Sequence, residues 1–184
     1  MSKRFSKTDW LDLGLSILAE NGSTALRIDA LCAAAGRTKG SYYHHFSGRE
    51  EFTTELLNHW QHKLTEVVIS ETERQSDPVE KLITLNRITD ELDMGVETAL
   101  RRWAGTEPNV ADAIAKVDKR RIEYVASLLM QAKDIPSQQA IDLAVMNYAS
   151  LIGTQLMFTP INRERRQRIA QLYVDILDTL PDHV

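Results

Sequence analysis

Apolar positions along this chain recur at helical spacing, and the breaks between them carry helix caps. Ser6-Lys-Thr-Asp9 has the pattern of a capping box. It opens a first helix with Trp10, Gly14, Ile17 and Leu18 on one stripe, ending near Asn21-Gly22. Leu26 to Ala35 reads as a short second helix closed by Gly36, a residue free to take the left-handed conformation. Thr38 caps a third helix through Phe46, and Ser47 to Glu50 forms another capping box that launches a long fourth helix to about Ser70. Asp77-Pro78-Val-Glu80 joins cap, proline and acid at the next start, and that helix falters at Met94-Gly95. Helices near 96–104, 109–133, 137–158 and 163–179 complete the pattern. No sustained alternating run asks for a strand, which excludes the doubly wound nucleotide-binding folds. The expected fold is all-α: a three-helix head with a helix-turn-helix, a connecting helix, and a C-terminal helical bundle.

Glycine and proline divide the chain in the same place. Five of the eight glycines precede position 49, whereas all five prolines (78, 108, 136, 160, 181) lie beyond it. Short helices with tight turns therefore come first and long helices with proline boundaries follow. The expected domains are 1–49, with a connecting helix of about 48–70, and 71–184. Charge is split likewise. The net charge is −4, but residues 1–49 hold seven Lys/Arg against four acids, a local +3, and the remainder holds −7. A polyanion partner therefore belongs at the N-terminal end. No apolar run approaches the ~18–20 residues needed to span a bilayer, and no apolar signal core follows the basic start. The single cysteine, Cys32, allows no internal disulfide and suits a reducing compartment. The expectation is a soluble cytoplasmic protein with no membrane partner, and Cys32 reads as a small buried apolar residue.

The stretch 26–46 carries the functional argument. Two short helices joined at Gly36-Arg37 suit a helix-turn-helix. Tyr42 and Phe46, four apart, can pack inward against Leu31, leaving Lys39, Gly40, Tyr43 and His44 on the opposite side. That face is short, flat and cationic, with an aromatic hydroxyl. Gly40 and Ser41 leave the helix start narrow enough to approach a nucleic acid, and its unpaired N–H groups favour phosphate. Read by itself, this corner leaves DNA binding and a plain helical corner both open.

Three segments resemble the TetR-like (tetracycline-repressor-like) family of bacterial transcription regulators: Ile28 to Gly36, Lys39 to Phe46, and Ser47 to Phe52. Tyr43, Phe46 and Arg49 match the family's tyrosine, aromatic and basic positions. The likeness covers about residues 6–60; beyond that only length and helical layout agree. It implies an effector-responsive repressor whose homodimer binds a palindromic operator in duplex DNA through helix 38–46. Lys39 would then donate to guanine edges, Ser41 and Tyr43 would donate to phosphate or touch a thymine methyl, and His44 or His45 would reach bases or phosphate. Arg49 would clamp backbone phosphate. Arg27 stands where the family usually has a Ser/Thr cap, which assigns it to phosphate, and Arg37 adds charge at a turn position often apolar there.

The last two helices are apolar on more than one face. Ile141, Val145, Ala149 and Ile152, with Gly153, and Ile169, Leu172, Tyr173, Ile176 and Leu177 are the expected dimer interface, a four-helix bundle about a two-fold axis. A small-molecule effector pocket is expected within 78–158, with Met94, Leu100, Trp103, Tyr124, Leu128, Met130, Asn147, Tyr148, Gln155 and Phe158 as candidate lining residues. Glu55, His59 and His62 share a helix face but at a spacing poor for a metal, so neither metal nor cofactor is expected. The basic run 163–168 reads as a solvated helix face. No nucleophile elbow, phosphate loop or paired-carboxylate cleft is present, so no catalytic residue is named and no enzyme is expected. The competing reading is a helical dimeric adapter or small-molecule-binding protein that does not bind DNA. The cluster Arg37, Lys39 and Arg49 argues against it, because an adapter has no need of cations on that face.

Overall fold

The computed structural model describes residues 5–92, 94–157 and 163–182. All its regular elements are helical: α1 (Lys7–Asn21), α2 (Ile28–Ala35), α3 (Lys39–Tyr43), α4 (49–72), α5 (Pro78–Glu91), α6 (Gly95–Ala104), α7 (Pro108–Ala132), α8 (Ser137–Met157) and α9 (Arg163–Asp178). A short 3-10 turn, Ser23–Ala25, precedes α2, and α4 contains a π turn, His62–Glu66. Among the described residues no strand forms; one isolated bridge joins Lys133 and Asp182. Among the same residues no helix is long and apolar enough to cross a membrane.

The caps explain where the helices begin. Ser6 and Asp9 form a reciprocal box: the Asp9 N–H donates to the Ser6 hydroxyl at 3.1 Å, and the Ser6 N–H donates to Asp9 at 2.7 Å. Asp77 accepts from the N–H groups of Val79 and Glu80, with Pro78 in the first turn. Gly36 ends α2 at φ +60°, a left-handed cap that costs a glycine little. The start of α4 differs from expectation. Gly48 is its N-cap without a side-chain bond, and Ser47 donates from both hydroxyl (2.6 Å) and N–H (2.7 Å) to Glu51, not Glu50. The extra residue arises because the chain runs fully extended through Gly48 before it coils.

The molecule divides into two compact units, residues 1–67 with 93–115, and 68–92 with 116–184. In the first, α1 packs on α2, α4 and α6. Its core holds Trp10, Leu18, Leu31, Tyr42, Phe46, Phe52, Leu56, Trp60 and Leu100. The helix α6, grouped by the sequence reading with residues 71–184, is thus part of the head's own packing. In the second unit, Ala126, Leu129, Ala140, Leu143, Ala144 and Leu177 form the core from α7, α8 and α9, with Leu82 of α5 and Tyr173 against it.

Candidate nucleic-acid interface

The recognition element is built backwards from what it buries. Tyr42, on α3, has no exposed surface, and its ring meets Trp10 edge-on at 5.6 Å and Phe46 and Phe52 at 5.2 and 5.7 Å. Phe46 in turn meets Phe52 edge-on at 5.1 Å. Each such pair adds about 0.5–1.5 kcal/mol beyond area burial, so the cluster fixes the roll of a helix only five residues long. The Tyr42 hydroxyl donates to the Gly48 carbonyl at 3.2 Å, tying α3 to the start of α4. Burial pushes that hydroxyl up to about 12, so it stays a donor at any ordinary pH. At the other end, the Thr38 hydroxyl accepts from the Ser41 N–H at 3.3 Å. The sequence placed this cap correctly, but the helix closes at Tyr43 rather than Phe46; residues 44 and 45 continue as a turn.

With that roll fixed, Lys39, Gly40, Tyr43 and His44 are exposed and Ser41 half-buried. Tyr43 leaves 53 % of its surface open, which no packing argument explains for a large aromatic. A Cβ at Gly40 would meet only Thr38 Oγ1, at 3.7 Å, so a larger residue would fit the fold and crowd only what approaches from outside. Arg27, at the N-cap of α2, makes no capping bond and is exposed; Arg49, first in α4, is exposed too. Lys39 Nζ lies 2.6 Å from Asp29 Oδ1, a pair between the first turns of α3 and α2 that the sequence reading did not foresee.

Two of the nine expected contacts face elsewhere. The Arg37 guanidinium lies 5.7 Å from the centre of the Phe5 ring, and His45 Nε2 lies 3.1 Å from the Phe5 carbonyl. Phe5 itself meets Trp10 edge-on at 5.0 Å. Arg37 and His45 are half-buried and hold the chain leading into α1 against the helix-turn-helix.

Residues 11–56 match the family described as bacterial regulatory proteins, tetR family. The matched residues run from α1 into α4 and include the whole helix-turn-helix. Over 51 residues it is 37 % identical to the HTH-type transcriptional repressor KstR2 of Rhodococcus jostii (strain RHA1), a match covering 28 % of this chain and 25 % of that protein. The chain thus spans about a quarter of the length of that curated relative. The fold extends the likeness. A TetR transcriptional regulator from Legionella pneumophila superposes with a TM-score of 0.75 at 14 % identity, covering 97 % of this chain and 98 % of that one. A regulator from Saccharomonospora viridis, solved in complex with choline, gives 0.74 at 14 %, covering 97 % and 98 %. A transcriptional regulator from Rhodococcus sp. Rha1 gives 0.66 at 24 %, covering 80 % of each chain.

Beyond the helix-turn-helix, the expected pocket residues scatter. Leu100 and Trp103 are buried in the first unit, where α6 packs on α1. Met94 is the N-cap of α6. Tyr124 and Leu128 are buried on α7, and Met130 is exposed. The Tyr124 hydroxyl donates to Glu73 at 2.6 Å. The Tyr148 hydroxyl donates to Asp118 at 2.7 Å and accepts from Arg121 at 2.9 Å. Gln155 is buried, with no partner for its Nε2 among the described residues. Phe158 lies outside the described residues. A cavity of about 460 Å³ in the second unit runs between α5, α8 and α9 and takes only Asn147 from the expected set. Its walls include Asp90, Ser150, Thr154, Arg166, Ile169 and Tyr173. Arg166 pairs with the Asp90 carboxylate, Nε 2.7 Å from Oδ1, and donates to the Asp90 carbonyl at 2.6 Å, so the basic run is not wholly a solvated face.

Of the expected interface residues, Ile141, Val145, Ala149, Leu172 and Ile176 are exposed. Ile152, Gly153 and Ile169 are half-buried. Leu177 is only 8 % exposed, and Tyr173 packs on the same core with its hydroxyl donating to the Leu143 carbonyl at 3.2 Å, so these two serve the chain's own interior. The sequence also gave no sign of Glu97, 1 % exposed on α6, which accepts from Arg101 at 2.8 Å. A long-range burial of this kind leaves no local pattern.

Proposed function

We propose that this chain is a transcriptional repressor that binds a palindromic operator in duplex DNA as a homodimer and releases it in response to a small-molecule effector. The observation that carries the reading is the exposed face of α3, with Lys39, Tyr43 and His44 open above an aromatic cluster that allows the helix one roll. Arg27 and Arg49, at the starts of α2 and α4, would flank it as phosphate contacts, with Gly40 and Ser41 allowing close approach. Arg37 and His45 support the surface from behind. Residues 1–49 form the DNA-binding domain in this reading, and 71–184 the effector and dimerisation domain.

The homodimer follows from the open stripe Ile141, Val145, Ala149 on α8 and Leu172, Ile176 on α9. Such a dimer presents two recognition helices about 34–36 Å apart, one turn of DNA. The cleft between α5, α8 and α9 is the effector site in this account, and the choline complex of the S. viridis regulator supports a small ligand within this fold. The protein works in the cytoplasm, as DNA binding requires, and performs no catalysis. The adapter alternative is disfavoured by cations on a face that a protein partner does not require.

Selection of bound duplexes from a random pool tests the reading. The expected result is an enriched inverted repeat with half-sites one helical turn apart. A pool that returns no enriched sequence, from protein that sediments as a monomer at micromolar concentration, contradicts it.

A further inference from the structure

The pair between Asp29 and Lys39 is left over by this account. Ten residues separate the two in the chain, so the helix-turn-helix itself brings them together, with Nζ 2.6 Å from Oδ1 and both side chains well exposed. An acid in the first turn of α2 has an ordinary use, since it complements the helix dipole. Yet this acid is turned toward α3, and an uncompensated carboxylate beside a duplex repels phosphate. Its presence becomes favourable if it accepts a hydrogen bond from a base.

Base-edge chemistry supplies the match. In the major groove a G·C pair shows two adjacent acceptors, N7 and O6 of guanine, followed by the N4 amino donor of cytosine. O6 and N4 are themselves hydrogen-bonded, about 2.9 Å apart. A lysine ammonium and a carboxylate oxygen held 2.6 Å apart present the complementary order at nearly the same spacing. The ammonium has spare protons for N7 and O6, and the carboxylate has spare lone pairs for N4. The ion pair therefore need not break to read the base pair. An A·T pair is a poorer fit, because its donor lies between its two acceptors and Lys39 would meet only one.

Resting on the DNA-binding reading above, we propose that Asp29 is a specificity-determining residue that acts with Lys39 as one unit to read a single G·C pair. Lys39 donates to guanine O6 and N7, and Asp29 accepts from cytosine N4. The small profile of Gly40 beside Lys39 keeps that corner open.

The test uses the duplex enriched by the wild-type protein, with each base pair of one half-site replaced in turn. Wild type should lose at least about fivefold in affinity when one particular G·C pair becomes A·T, a modest share of the usual mismatch penalty. Asp29→Ala and Lys39→Ala should each flatten the preference at that same position and leave other positions discriminated, and the double variant should lose little more than either single one. Asp29→Asn, which keeps an acceptor oxygen, should retain part of the preference. Circular dichroism of all variants should match wild type, since both side chains lie on the surface. If Asp29→Ala tightens binding to every duplex alike and changes no preference, the carboxylate merely offsets Lys39 and the inference is overturned. An A·T preference at the Asp29-dependent position overturns the choice of base pair. Failure of wild type to enrich any duplex overturns the DNA-binding reading itself, and this inference with it.

Discussion

At Gly14 the first helix has room for a hydrogen and little more. A Cβ there would stand 2.7 Å from Phe52 Cζ and 3.0 Å from Leu56 Cδ1. Phe52 cannot easily yield, because its ring is wedged against Tyr42 and Phe46, the residues that set the roll of α3. Replacing glycine by alanine within a helix ordinarily gains up to about 1 kcal/mol. Overpacking a filled core costs about 1–3 kcal/mol, and here the clash is with a fixed ring, so the cost wins. Gly14→Ala is expected to lower Tm by several degrees in a thermal melt. A rise in Tm would mean that α1 and α4 are not in the contact described. The sequence showed Gly14 on the apolar stripe of α1, but not what it faced. Tyr42 and Phe46 were legible as anchors because four-residue spacing on a short helix is a local fact, whereas the choice of partner is not.

Among elements, the caps were the most readable feature: Ser6, Gly36, Thr38 and Asp77 each act where the sequence places them, because a cap is decided within a few residues. The fourth helix was less readable. Its π turn at His62–Glu66 has no sequence signature, and near that turn His59 and Lys63 reach the same oxygen of Asp12 on α1, at 2.9 and 2.8 Å. Partial burial raises the Asp12 carboxyl, but the bonds from His59 and Lys63 outweigh it and hold the group below its ordinary 3.8. A carboxyl depressed on folding stabilises the native state above its unfolded value and loses that contribution as pH falls through the folded one. Asp12→Asn should therefore melt lower than wild type at neutral pH, by on the order of 1–3 °C for an exposed pair. The gap should close as pH falls below 3.8 and through the depressed folded value, which melting curves taken from neutral pH into acid would follow. A gap that widens in acid would mean the carboxylate is not what holds α1 to α4.

At the scale of the molecule, the number and order of the helices among the described residues were legible, since they follow from periodicity and punctuation. The cleft between α5, α8 and α9 was not. Large apolar residues at helical spacing marked Leu100, Trp103, Tyr124 and Leu128, which the fold buries as core, whereas the cavity sets polar residues of α5 such as Asn86, Thr89 and Asp90 against mostly apolar residues of α9. Size and apolarity report burial and cannot separate a cavity wall from a packed interior. The interface reading fared in between. Ile141, Val145, Leu172 and Ile176 are exposed, while Leu177 was drawn into the chain's own core.

The account stands on the open face of α3, and a binding titration addresses that face directly. Fluorescence anisotropy with a labelled duplex carrying the enriched site should show wild-type binding that weakens steeply as salt rises, because phosphate contacts release counterions. Tyr43→Ala should weaken binding at least about fivefold, as losing an interface contact does, with the helical content of the protein unchanged. Equal affinity of Tyr43→Ala and wild type across the salt series would contradict the claim that this face meets DNA.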